Sequence, residues 1–176
     1  MQLDKLQTLL DANVEWLRQA EELLNEVGDW AYSVAAPQAH GNRAGAHLRH
    51  VLEFYEAFIL GLDSGHIDYD ARRRDPQIER SRIAALLRIR ALSQQLNDWK
   101  NNLGDWIVFV RLEDADPDLN QDCWLGSSIG RELQALSSHT VHHFALIAVA
   151  LRSHGVEVPA DFGFSPATLR YRKQAA

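Results

Sequence analysis

The chain has 176 residues, with 18 Lys plus Arg against 24 Asp plus Glu and a formal net charge of −6. That length supports one domain with a real core, and the mild acidity leaves no electrostatic footprint for nucleic acid. A single cysteine, Cys123, excludes a disulfide framework and any cysteine cluster for zinc or redox work. The start, Met-Gln-Leu-Asp-Lys, lacks the apolar core of a signal peptide, and the most apolar stretch, Phe144 to Leu151, is too short to span a bilayer. The expectation is a cytoplasmic protein with no membrane partner.

Helical patterning dominates. Leu3, Leu10, Leu17 and Leu24 recur every seven residues, with Leu6, Ala20 and Val27 interleaved and Asn13 interrupting. This predicts a long amphipathic helix ending near Gly28. A heptad can pair two chains, but beside several further helices it reads as one member of an intramolecular bundle. Residues 31–42 read as a loop around Pro37 and Gly41. A second helix is expected from about Arg43 to Leu62, stopped by Asp63-Ser64-Gly65. Asp75-Pro76 then provides an N-cap and a first-turn proline for a third helix running to about Trp99. Trp106 to Leu112 is β-branched and aromatic, and Asp114 to Asn120 is a polar turn before Cys123-Trp124-Leu125. That stretch predicts a small β-hairpin or irregular excursion. Ser127 or Ser128 caps a fourth helix extending to about His154 and stopped by Gly155, and Ser165-Pro166 opens a last short one. The expected fold is all-α, a four-helix bundle with one embellished connection before the last long helix. One domain covers 1–176, with its core in about 1–155 and a C-terminal extension over 156–176.

Five of the eight histidines fall in two short windows. On the fourth helix, His139 and His143 are one turn apart on one face, and Glu132 lies on the same stripe. That stripe borders the apolar face of Ile129, Leu133, Ile147 and Leu151, so both imidazoles should point into the bundle or a cleft at its edge. His142 is rotated by roughly 100° from His143 and cannot easily join the same metal. On the second helix, His47 and His50 sit three apart on one side, and either can meet the pair from the fourth helix. Three imidazoles around a divalent cation leave coordination positions open, as in catalytic rather than structural zinc sites. All-imidazole donors suit zinc, nickel, copper or iron(II). The residue after His139 is Thr140, not the glutamate of a zincin protease, and no built-in general base is evident.

The run Ala46-His47-Leu48-Arg49-His50-Val51-Leu52-Glu53 resembles the first metal-ligand motif of the DinB-like superfamily, and Ser138-His139-Thr140-Val141-His142-His143-Phe144 resembles its second. The resemblance spans roughly residues 1–155 and the order of elements. It implies an up-down-up-down four-helix bundle with a three-histidine metal site near one end of its cavity. It assigns His50, rather than His47, as the first-motif ligand, beside His139 and His143. His47, Glu132 and His142 are left as neighbours or cavity residues. Relatives of this kind include thiol S-transferases and thiol-dependent isomerases. The resemblance therefore implies a metal-dependent transferase or hydrolase that holds zinc, nickel or iron(II) and takes a small-molecule substrate, including a low-molecular-weight thiol. The alternative is a metal-binding or stress-response module without turnover. A thiol held by the cation as thiolate would arrive with the cosubstrate, so Cys123 is not required. The arginines of Tyr69-Asp70-Ala71-Arg72-Arg73-Arg74-Asp75 read as locally paired with Asp68, Asp70 and Asp75. A second copy of the chain is a further expected partner, on the strength of the first-helix heptad and of family habit.

Overall fold

The computed structural model describes residues 2–36, 43–102, 104–111 and 123–175. Within them the protein is mostly helical, with one small sheet. Four helices are long: α1 (Gln2–Glu26), α3 (Ala44–Leu62), α5 (Arg82–Trp99) and α6 (Ile129–Ser153). Three are short: α2 (Asp29–Ser33), α4 (Pro76–Arg80) and α7 (Pro166–Ala175). α1 packs against α5 and α6, and α3 packs against the same two, so each long helix is flanked by two others. No described helix is long and apolar enough to cross a membrane.

The heptad on α1 is consumed inside the chain. Leu10, Leu17 and Leu24 are buried with Leu6, Ala20 and Val27, while Leu3 stands in solvent. Each buried leucine contributes about 1.5–3 kcal/mol of transfer free energy, so such a stripe orients the helix strongly. Asn13, the residue that breaks the pattern, is fully buried and fully used. Its amide donates to the Leu9 carbonyl at 2.8 Å and the Leu133 carbonyl at 3.0 Å. Its Oδ1 accepts from the Tyr55 hydroxyl at 2.8 Å, and Tyr55 in turn accepts from Thr140 Oγ1 at 3.2 Å. One buried polar network thus ties α1, α3 and α6 together.

The third helix of the sequence reading is two helices. Asp75 caps α4 through Gln77 N, with Pro76 in the first turn as expected. At Ser81 the backbone turns extended (φ −121°, ψ 109°), and the Ser81 side chain accepts from Ala84 N to start α5. A serine that closes one helix through its N–H and opens the next through its hydroxyl makes the break local and inexpensive. α2 occupies part of the stretch read as loop, and Pro37, His40 and Gly41 lie outside the described residues.

The hairpin forms, with an addition the sequence did not signal. β2 (Ile107–Arg111) and β3 (Trp124–Ser128) pair antiparallel, from Ile107 opposite Ser128 to Arg111 opposite Trp124. A two-residue strand β1 (His66–Ile67) joins β2 in parallel, giving the order β1-β2-β3. The polar turn at 114–120 lies outside the described residues. β3 runs directly into α6, whose cap is Ser128 through Arg131 N; Ser127 donates instead to Glu132. α6 ends at Ser153, and Gly155 adopts the left-handed conformation (φ 77°) that favours glycine after a helix.

Candidate metal centre

The two histidine helices face each other, since α3 and α6 make the most extensive helix pair among the described residues. On α3 the buried stripe is Leu48, Val51, Leu52, Tyr55 and Phe58; on α6 it is Leu133, Leu136, Thr140, Phe144 and Ile147. His47, His50, His139 and His143 sit at the flank of these stripes and are half-buried, whereas His142 is exposed. At the flank each of the four imidazoles is partly covered and partly open, and Phe54 packs against the rings of His50 and His139.

His50, His139 and His143 converge, with one nitrogen from each within 4.8 Å of the others. His139 Nε2 lies 3.1 Å from His50 Nε2. His47 joins the edge of the cluster, its Nδ1 3.1 Å from His143 Nδ1. His142 touches only the ring of His143, edge-on, at a centroid distance of 5.1 Å. Burial lowers the imidazole pKa of His50 to about 4, of His139 to about 4 and of His143 to about 3. Neighbouring imidazoles and the Arg72 charge push the same way. His47 is lowered too, first by burial and then by His142. All of these rings are therefore neutral at pH 7, which is the state that can donate a lone pair to a cation.

The loop that follows β1 supplies a residue that sequence reasoning did not assign to the cluster. Asp68 Oδ1 accepts from the backbone N–H groups of Asp70 and Ala71, and Asp75 N–H donates to Glu53 Oε1 at 2.7 Å. Between these anchors Arg74 adopts φ 50°, an unusual angle for a residue with a side chain. Arg72 projects onto the cluster: its Nη1 is 3.1 Å from His50 Nδ1, and its guanidinium carbon is 4.3 Å from the centre of the Phe54 ring. Asp68, one of the expected local partners, pairs with Arg111 at 2.9 Å.

Phe54 is the wall of the site. It stacks on His139 at 4.1 Å and on Tyr69 at 5.0 Å. Its place one turn after His50 puts it on the same stripe, a signal available in the sequence. Glu132 is buried and accepts from Tyr69 Oη at 2.9 Å and from Ser127 Oγ at 2.6 Å. It reaches the imidazoles only through Tyr69 and Phe54. Glu53 is also buried, beside Arg49, and burial raises its carboxyl pKa.

The donor set fits a divalent cation. Two nitrogens bound to one ion at 2.0–2.1 Å with adjacent bonds lie about 3 Å apart, matching the 3.1 Å between His50 Nε2 and His139 Nε2. On the far side of its ring, His139 Nδ1 is buried with no hydrogen-bond partner among the described residues. Cys123, half-buried before β3, is not a member of this cluster.

Fold and site together define a mainly helical protein with a three-imidazole cluster between two of its long helices. Comparison with protein families finds no match, and comparison with solved structures finds none. Among curated proteins the chain is similar to FK506-binding protein 5 of Rhizopus delemar, 33% identical over 109 residues. The match covers 61% of this chain and 28% of that protein, so the chain spans well under a third of the relative's length.

Proposed function

We propose that this chain is a divalent-metal protein of the DinB-like kind. Its long helices form an up-down-up-down bundle within a single domain over residues 1–176, and His50, His139 and His143 hold zinc, nickel or iron(II). The observation that carries the reading is the convergence of three neutral imidazoles from two helices on one point. When bound, such an ion can hold a thiol as thiolate or polarise a carbonyl. The chain's own residues set the surroundings. Phe54 and Tyr69 form an apolar side that excludes water, His47 orients His143 through its Nδ1, and Glu132 anchors Tyr69. The reaction proposed is a thiol transfer or a hydrolysis in the cytoplasm, with the thiol supplied by a small cosubstrate. The similarity to FK506-binding protein 5 covers too little of that protein for the binding in its name to be carried over.

A second reading, metal binding without turnover, draws support from the acids near the site. Glu53 and Glu132 are both engaged by other donors, and among the described residues no carboxylate hydrogen-bonds to a cluster imidazole. Metal analysis of natively purified protein tests the shared premise. About one ion per chain is expected, lost in His143→Ala; an unchanged metal content in that variant refutes the site. A thiol-conjugation screen on the loaded protein then separates the two readings. A homodimer belongs to the proposal as well. Because Leu10, Leu17 and Leu24 face the chain's own core, it would use another surface. Sedimentation of a monomer at micromolar concentration removes it.

A further inference from the structure

Arg72 donates to His50, one of the three converging imidazoles, at Nδ1. An arginine side chain can only donate hydrogen bonds, and a neutral imidazole has one lone pair. With Arg72 Nη1 3.1 Å from it, His50 Nδ1 must be the acceptor, which puts the His50 proton on Nε2. That proton points at His139 Nε2, 3.1 Å away, and so forces the His139 proton onto the buried, unpartnered Nδ1. If His50 binds an ion through Nδ1, Arg72 stands in the way. If it binds through Nε2, its proton moves to Nδ1 and confronts an N–H of Arg72. Whichever nitrogen is used, the contact with Arg72 and the bond to a cation are mutually exclusive.

We propose that Arg72 and the metal ion compete for His50, so that loading the site expels the Arg72 guanidinium and Arg72 sets the metal affinity. This inference rests on the metal reading above. The surroundings are built for such an exchange. The loop backbone is pinned at Asp68 and by the Asp75–Glu53 bond, so the side chain can swing while the chain stays. Beside it lies a cavity of about 200 Å³ lined by Glu53, Glu56, Asp68, Arg72 and Arg73, with room for the guanidinium beside carboxylates that already pair with Arg49, Arg88 and Arg111. The Phe54 ring, 4.3 Å away, gives the side chain a face along which to slide. Metal loading therefore moves the Arg72 charge from the imidazole cluster toward that cavity.

The test is a Zn2+ titration at pH 7.5 against a competing chelator, on the full chain, for wild type, Arg72→Met and Arg73→Met. Losing one hydrogen bond to a charged donor predicts that Arg72→Met binds Zn2+ at least about tenfold more tightly than wild type. Arg73→Met removes an equal charge from the next position and should change affinity far less. Nitrogen-15 spectra of the imidazoles supply a second readout: metal-free wild type shows His50 protonated on Nε2, and Arg72→Met shifts it toward Nδ1. Equal affinities for wild type and Arg72→Met, equal tightening in both variants, or a His50 proton on Nδ1 in the metal-free wild type overturns the proposal. If wild type and both variants bind no Zn2+, the metal reading itself fails and takes this inference with it.

Discussion

Tyr55→Phe deletes one oxygen from the centre of the fold. Tyr55, Asn13 and Thr140 are fully buried, and the Tyr55 hydroxyl is the hub between the other two, at 2.8 Å from Asn13 Oδ1 and 3.2 Å from Thr140 Oγ1. Phenylalanine keeps the ring in place, so no cavity term of consequence arises. Asn13 Oδ1 loses its donor at a site shut off from bulk solvent, at a cost of about 1–3 kcal/mol. Thr140 loses an acceptor, but its hydroxyl can rotate toward the carbonyl one turn back in α6, which softens its share. The expected loss is about 2 kcal/mol, which for a chain of this size lowers Tm by about 4–8 °C. The assay is urea unfolding of metal-free protein with wild type in parallel, where the midpoint should fall at unchanged slope. Zn2+ affinity should hold, because the hydroxyl touches none of the imidazoles. A loss below about 0.5 kcal/mol refutes the account, since it would mean that the network is satisfied by some other route.

The other predictions concern the site and its supports. His139→Leu removes a proposed ligand and merely exchanges one unpartnered nitrogen, His139 Nδ1, for another, His50 Nε2. At pH 7.5 it should cost the metal-free protein no more than about 1 kcal/mol, the scale of its stacking on Phe54. Wild type should gain about 2.7 kcal/mol at a free Zn2+ of about one hundred times its Kd, and the variant should gain almost nothing. Zinc stabilisation that survives the substitution refutes the ligand assignment. The metal-free protein should also lose stability as pH falls. Unfolded imidazoles protonate near 6.5, while His50 and His139 (about 4) and His143 (about 3) stay neutral when folded. The unfolded state therefore binds more protons in the window between about 6.5 and 4, and stability present above 6.5 drains away through it. His143→Leu should flatten that acid limb in a pH series of urea midpoints, and an unchanged limb counts against burial as the cause. Gly45→Ala places a Cβ against the Glu79 carbonyl oxygen and the Tyr32 ring, where α3 meets α4. It should destabilise by about 1–3 kcal/mol, and a neutral effect on Tm would show that the two helices are free to part.

Much of the architecture was readable because it is local and periodic. The spacing of Leu10, Leu17 and Leu24 and the Asp75-Pro76 start act within a few residues and appear where the pattern puts them, and of the two candidate caps, Ser127 and Ser128, the structure uses Ser128. The break at Ser81 was not legible, because the residues on either side continue one apolar stripe and a serine within a helix is unremarkable in sequence. β1 was invisible for a different reason. Two residues carry no periodicity, and only the arrival of β2 beside them makes His66 and Ile67 a strand. Asn13 read as an interruption, yet its partners are Leu133 and Tyr55, far away in the chain.

The same division runs through the candidate centre. The sequence by itself determined which faces of two helices carry imidazoles, since i,i+3 and i,i+4 spacing sets direction around a helix whatever it packs against. Only the tertiary structure decided that His50 and His139 stand 3.1 Å apart, that His47 contacts His143, and that Arg72 turns onto His50. Those contacts join residues separated by 89, 96 and 22 positions, and they depend on the relative rotation of α3 and α6 and on how a pinned loop crosses their ends. Helical periodicity gives each helix a face, but the distance between two faces is a property of the packed core, which no single segment contains.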